Sequence, residues 1–389
     1  MFFKQKVSLL PVNLIVDIGS KNLKFFIYSI QEEQINIEYY YQIEHGVNFS
    51  FIKGFDSKKL LNIIVEVLEV LVDKFNFELR QLHVSLADEL VIIKRKKVSF
   101  NRSKSDITID LGELKNLIHK SQWKITNEVK TFYQEINPDT QIKLLTSQLN
   151  SIVIDSEVVS NPVGLEGEVI QFDFINAYVN PEIYELFLEV FNSLDISLSS
   201  VLINMFSYTN LKPDSELLFI DLGAKVTNLC LLKDEKFEYI KSYDFGVDIV
   251  TEEIAQSLKI TLKEAEELLI NYSQNNFNKI DFYTFRKAVL AGCKKLISSL
   301  NIANVKFQKV KLFGGGSHIP EFTELLLLKF PGIDISQFNF TDFSYLNKDF
   351  KFQDLSALNC LNLANFVNDN AKNKNLNQIL NQVIKLMQL

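Results

Sequence analysis

The pattern that most restricts what this chain can fold into occurs twice. Residues 14–16 and 23–28 are apolar runs separated by Asp17-Ile18-Gly19-Ser20-Lys21-Asn22. About 200 residues later, 217–220 and 228–232 flank Asp221-Leu222-Gly223-Ala224-Lys225. Each copy reads as strand, turn, strand with Asp-x-Gly at the tip. One copy alone is an ordinary turn. Two copies at this separation predict two related halves produced by duplication. In each, the glycine lets backbone N–H groups approach phosphate oxygens, and the aspartate brings a carboxylate within reach of a magnesium ion or its waters. Asp17 and Asp221 are therefore expected to face each other across a cleft. A third element joins them: the apolar strand 310–313 runs into Gly314-Gly315-Gly316-Ser317, a close backbone surface for a purine and ribose.

Composition excludes several other classes. With 389 residues and 47% apolar content, the chain can bury two or more cores. A net charge of −7 offers no general basic face for nucleic acid. Cys230, Cys293 and Cys360 are far apart and odd in number, which fits neither a disulfide framework nor a zinc site. No G-x-G-x-x-G follows the first strand and no G-x-x-x-x-G-K-[ST] is present, so dinucleotide and P-loop sites are excluded. Residues 1–16 contain Lys4, Lys6 and Pro11 and no small-residue cleavage site, and no apolar stretch nears the roughly 18 residues of a membrane-spanning helix. A cytoplasmic protein with peripheral membrane contact at most is expected.

Between the repeats, a strand at 35–41 and a helix over 58–75 capped by Asp56-Ser57 complete the first lobe with a strand at 81–86. From 83 to 166 the texture changes to Lys/Ser/Thr-rich strands around one helix, 111–122, predicting a small inserted α+β module. The first lobe then resumes with a strand at 169–178 and a helix at 181–194. The expected organisation is a first lobe of 1–82 and 167–212, the module at 83–166, a second lobe at 213–367, and a polar linker with an amphipathic segment at 368–389. In that segment Leu376, Ile379, Leu380, Val383, Ile384 and Met387 share one helical face.

The two Asp-x-Gly turns and the triple glycine resemble the actin, Hsp70 and hexokinase superfamily. The inserted module narrows this to FtsA, the bacterial actin-like cell-division family with an SHS2-type insertion, with PilM of type IV pilus assembly as runner-up. Gly46, Gly54 and Asp56 resemble the FtsA entry to the first helix, and Asn161, Pro162, Gly164 and Gly167 its Asn-Pro-x-Gly-x-x-Gly motif. Asp221-Leu222-Gly223-Ala224 with Thr227-Asn228 is closer to PilM, as is Lys24; the FtsA lysine position holds Asn22. Glu264 matches the family's nucleoside-side Glu-Ala-Glu helix, while Leu269 and Ser273 replace a common lysine and glycine there.

The resemblance implies an α/β, actin-like (ribonuclease H-like, duplicated) ATPase fold with two lobes around a nucleotide cleft. It implies ATP with Mg2+ as ligands, held by Asp17, Gly19, Ser20, Lys21, Asn22, Lys24, Asp221, Gly223, Ala224, Lys225, Gly246, Glu264, Gly314, Gly315, Gly316 and Ser317, with Asp17 and Asp221 on the metal. As partners it implies an FtsZ-type tubulin homologue, further copies of the chain, membrane proteins of the divisome, and the membrane itself through the 376–387 face. That last reading competes with docking of the same face on protein, because Lys385 is the only basic residue in the segment. None of His45, His83, His119 and His318 falls in a catalytic arrangement, so ATP hydrolysis is expected to be slow at most. A platform protein that binds a membrane-partner peptide, as PilM does, is the first alternative. An Hsp70-like or sugar-kinase-like enzyme is the second; it lacks an evident catalytic aspartate or a substrate-binding domain.

Overall fold

Residues 10–31 fold back on themselves as β1 (Leu10–Ile18) and β2 (Asn22–Gln31), antiparallel with Asp17 opposite Lys24. The computed structural model describes residues 10–51, 54–74, 77–194, 196–211, 215–234, 236–274, 282–302, 305–343, 346–347, 354–372, 380 and 383. β3 (Gln34–Glu44) extends the hairpin on the β2 side. On the other side, β4 (Phe77–Ser85) runs parallel to β1, and β9 (Leu198–Leu202) parallel to β4. A parallel return needs a crossover, which α1 (Ser57–Lys74) supplies. Asp56 starts it by accepting a hydrogen bond from the Lys59 N–H at 3.1 Å. β1 is the central strand of the order β3-β2-β1-β4-β9, paired along both edges, and it is buried from Val12 to Ile18.

The second sheet repeats this plan. β10 (Leu217–Leu222), β11 (Thr227–Lys233) and β12 (Lys236–Tyr243) are successive antiparallel strands, while β13 (Lys309–Phe313) and β14 (Asp334–Gln337) pair in parallel on the other side of β10. Its order, β12-β11-β10-β13-β14, matches the first sheet strand for strand and sense for sense. The helices α5 (Asp248–Leu258), α6 (Leu262–Ser273), α7 (Phe282–Ser299) and α8 (Pro320–Lys329) serve this half. Val250, Ile254, Phe285, Val289, Leu296 and Phe322 from them pack with the sheet in one apolar core.

A third sheet, β5-β8-β6-β7, belongs to the inserted region: β5 (Val91–Asn101), β6 (Lys143–Ile154), β7 (Glu157–Val159) and β8 (Val169–Val179). Two sequence expectations are corrected here. The strand expected to return to the first lobe, β8, is hydrogen-bonded to β5 along one edge and to β6 along the other, so it closes the module's sheet. Its burial between two neighbours gave it the apolar run of a lobe strand. The module helix α2 spans Leu111–Ile136, beyond the predicted stop at 122. Asp110 caps it through the Glu113 N–H, and Ile125 and Val129 continue the buried stripe begun by Leu114 and Ile118. Exposed Trp123, Phe132 and Ile136 on the outer side obscure that periodicity in the sequence.

Inside the module, Gln122, Ser147 and Asn176 close a ring of three buried hydrogen bonds of 2.7–3.0 Å, and Asn176 also donates to Tyr178 at 2.8 Å. A satisfied polar ring fixes the helix on the sheet in one register. The Asn161–Gly167 motif lies in the loop that borders this module. Arg102 donates to the Gly167 and Ile107 carbonyls and pairs with Glu113 at 2.7 Å, while Asp155 accepts from the N–H groups of Glu168 and Val169. Here the motif has a structural job.

After β14 the chain forms α9 (Leu358–Lys372), with Cys360, Leu361, Leu363 and Ala364 buried. Residues 368–372 are thus helical, where the polar composition predicts linker: Asn and Lys continue a helix whose apolar face is already anchored. Contacts divide the chain into two units, residues 1–207 with 345–352 and 360–389, and residues 208–344 with 353–359. All three cysteines are buried thiols.

His83 on β4 gives this fold a pH signature. Its Nδ1 lies 2.8 Å from the Ser200 hydroxyl, and burial pushes the imidazole down to about 4 from 6.5. The unfolded chain therefore binds a proton that the folded one does not between those values. Stability should fall as pH drops from 6.5 towards 4, by up to about 1.4 kcal/mol per pH unit from this residue. Denaturant titrations of the wild type and His83→Gln across this window should show a shallower pH slope in the variant.

Candidate functional site

Each hairpin tip is closed by one backbone hydrogen bond of the same kind. The Gly19 N–H donates to the Asn22 carbonyl at 2.9 Å, and the Gly223 N–H to that of Val226 at 3.0 Å. The two tips are then braced differently. In the first, buried His45 accepts from the Val47 N–H on Nδ1 at 3.0 Å, so its proton is on Nε2, which donates to the Gly19 carbonyl at 3.0 Å. The His45 N–H also donates to the Lys21 carbonyl at 3.1 Å. In the second, backbone does this work: the Val247 N–H donates to the Gly223 carbonyl at 3.0 Å and the Asp248 N–H to that of Ala224 at 2.9 Å. His45 is a residue that sequence reasoning misses. It sits 26 positions from Gly19 and no local pattern connects them.

The glycines divide into those that pack inward and one that is open. A Cβ on Gly246 would strike the Gly223 and Ala224 carbonyl oxygens, the latter at 2.6 Å, so Gly246 backs the second turn. Gly314 has φ +77° and a Cβ there would lie 2.5 Å from both Asp221 Oδ1 and the Leu222 carbonyl. Gly316 packs against Val247 and Leu222 in the same manner. Gly315 differs: a Cβ would meet nothing within 4 Å. Ser317 is buried and donates to the Gly314 carbonyl at 2.7 Å, closing the loop over which Gly315 is presented. His318 beside it is half-buried, and burial lowers its imidazole below the ordinary histidine value.

The two predicted metal-binding carboxylates are both engaged by protein. Asp17 is buried, and its Oδ2 accepts from the Lys24 ammonium at 3.0 Å. Burial alone would lower the lysine, but the charge and hydrogen bond of Asp17 together with Cys360 and Tyr40 outweigh it and raise Lys24 above its ordinary value. Asp221 Oδ2 accepts from the Tyr208 hydroxyl at 2.8 Å, and Oδ1 lies against Gly314. Tyr208 is itself stacked with Phe219 and packed on Phe313, so its hydroxyl is firmly aimed. Both carboxylates, expected to reach a magnesium ion or its waters, thus make these contacts within the chain itself. No group of three or more His, Cys, Asp or Glu suited to a metal is found among the described residues.

Ser20, Lys21 and Asn22 occupy the first turn and Ala224 and Lys225 the second, all half-buried. Glu264 spends its carboxylate on its own helix, accepting from the Thr261 N–H and hydroxyl at 2.8 Å each. Those bonds lower its carboxyl below the ordinary value. Leu269 is buried in the core of that half, where a lysine is common in the resembled family. Near these helices, buried Glu321 accepts from Tyr272 at 2.5 Å and Arg286 at 3.0 Å, joining α6, α7 and α8.

Of the six residues expected to meet lipid, Leu380 and Val383 are helical and only 2% and 4% exposed, within the apolar core of the inserted module. At these two positions the face is docked on the chain's own body, the alternative to lipid contact. Leu376, Ile379, Ile384 and Met387 lie outside the described residues. No described helix is long and apolar enough to cross a membrane.

A family model, "Cell division protein FtsA", matches residues 218–343. A comparison with curated proteins gave no match. Among solved structures, the chain is similar to the "PilM-PilN type IV pilus biogenesis complex", with TM-score 0.62 and 19% identity over 91% of this chain and 98% of that one. It is also similar to the ethanolamine utilization protein EutJ from Carboxydothermus hydrogenoformans, with TM-score 0.51 and 13% identity over 92% and 90%. The chain has the actin-like ATPase fold.

The glycine loop yields a paired prediction. Gly314→Ala should destabilise the protein by about 1–3 kcal/mol through a forbidden backbone angle and two clashes, whereas Gly315→Ala should change stability by less than about 0.5 kcal/mol. Chemical denaturation of the two variants measures both.

Proposed function

We propose that this protein is an ATP-binding, actin-like scaffold of bacterial cell division. It associates with copies of itself, links filaments of an FtsZ-type tubulin homologue to the inner face of the cell membrane, and recruits membrane proteins of the division machinery. The observation that carries this reading is the FtsA match over 218–343, which spans the Gly223 turn, Gly246 and the Gly314–Gly316 loop. In the second half, ATP is contacted by the Gly223 turn and by the open side of Gly315. It acts as a conformational ligand, favouring one of two states of the chain by its higher affinity for that state. Turnover is slow, since His45 and His83 are buried and bonded within the fold. Calorimetry should detect ATP and ADP binding, and Gly315→Val should weaken it by about tenfold or more without unfolding the protein. Absence of binding by the wild type would leave a scaffold without a nucleotide.

A second reading is a PilM-like platform that captures a peptide from a membrane partner, and the burial of Leu380 and Val383 in the module favours it. It marks the module as a receiver of apolar helical side chains. A pull-down against the C-terminal peptide of an FtsZ-type protein and the N-terminal peptide of a pilus membrane partner separates the two. Retention of the first peptide alone is expected.

Membrane attachment through 376–387 requires undocking. Releasing a Leu and a Val from a core costs about 3–6 kcal/mol, so lipid must repay that burial. Vesicle sedimentation with and without residues 375–389 should show loss of pelleting on truncation. Equal pelleting of both would end the membrane claim.

A further inference from the structure

The two halves carry the same hairpin in the same register, and they differ in the residue that faces the buried aspartate. Opposite the buried aspartate, β2 places Lys24 against Asp17, whereas β11 places Asn228 against Asp221. The lysine is committed. Its ammonium lies 3.0 Å from Asp17 Oδ2, with 16% of its side chain exposed and 2% of the aspartate's. The remaining oxygen, Asp17 Oδ1, is buried and has no hydrogen-bond partner in the described structure, and neither has the hydroxyl of Ser85, the register partner of Asp17 on β4.

These facts conflict with a magnesium-dependent site on this hairpin. A magnesium ion demands near-octahedral oxygen ligands and sheds water reluctantly, so it needs an accessible carboxylate oxygen with room for bound waters. Asp17 offers one oxygen already held by an ammonium and one sealed from solvent. A dication there would also have to displace or sit beside the lysine's positive charge. On the second hairpin Asp221 is engaged as well: one of its oxygens accepts from the Tyr208 hydroxyl and the other lies against Gly314. A lysine ammonium is a compact point charge that binds phosphate oxygens through three donors, only one of which the Asp17 bond uses.

Resting on the nucleotide reading above, we propose that Lys24 supplies in this chain the positive charge that a divalent cation would supply, so that the protein binds ATP and ADP without requiring Mg2+. Asp17 is then a positioning residue: it anchors the lysine at the first turn and keeps it charged. Half-buried Lys21 stands at the same turn.

The test is calorimetric titration of the full chain with ATP and with ADP, in excess EDTA and in excess MgCl2. Affinities within about threefold of each other in the two buffers are expected. Lys24→Met should lose about tenfold or more in EDTA and recover part of it in MgCl2, because Asp17 is released to a cation; Lys24→Arg should keep the wild-type pattern. Since Lys24→Met leaves a buried carboxylate unpaired, Asp17→Asn/Lys24→Met serves as the neutral control, and it should bind weakly in both buffers. Thermal unfolding in the absence of nucleotide confirms that each variant is folded. Wild-type binding that appears only with Mg2+ overturns the inference, as does equal binding by Lys24→Met and wild type in EDTA. No binding by the folded wild type in either buffer overturns the nucleotide reading itself, and this inference with it.

Discussion

A carboxylate at the end of the central strand of a sheet cannot be buried alone, and the architecture of both halves is arranged around that requirement. Asp17 and Asp221 end β1 and β10, the strands flanked by an antiparallel neighbour on one side and a parallel one on the other. An uncompensated charge there would be too costly to keep ionised. The first half answers with an ammonium from the neighbouring strand and the second with a tyrosine hydroxyl held by aromatic stacking. Each answer has its own surroundings. Lys24 stands near the start of β2, while Tyr208 rests on Phe219 and Phe313, and Phe313 in turn stacks on Phe338.

The same requirement explains why the turns need glycine and outside bracing. Closing a strand pair so tightly that the aspartate stays inside leaves carbonyl oxygens projecting at the tip, and these must find donors. The second tip finds them in the N–H groups that open α5, made reachable because Gly246 has no side chain. At the first tip His45 reaches in with its imidazole instead.

What the sequence revealed follows from this physics. The repeated Asp-x-Gly is legible because the turn tolerates few residues, and from it the paired halves and the glycine loop could be inferred. The strand order was not spelled out by any residue, but it follows once both hairpins take parallel neighbours through helical crossovers. Legibility fails where a residue's neighbours lie far along the chain. β8 reads as a lobe strand because enclosure by β5 and β6 gives it the same apolar character. α2 reads short because Trp123 and Phe132 break its polar face. At the site, positions were legible but engagements were not: Asp17 and Asp221 were recognisable as carboxylates, whereas their partners Lys24 and Tyr208 are specified by register and by packing.

The docking of Leu380 and Val383 in the inserted module has a consequence best expressed as concentration. A segment that belongs to the same chain presents itself to its receptor at an effective concentration on the order of millimolar, whatever the abundance of the protein. A free partner at micromolar levels that seeks the same apolar surface must therefore bind about a thousandfold more tightly than the tail to displace it to an equal extent. Weak, adventitious ligands are filtered out, and occupancy of the module becomes a measure of partner affinity more than of partner amount.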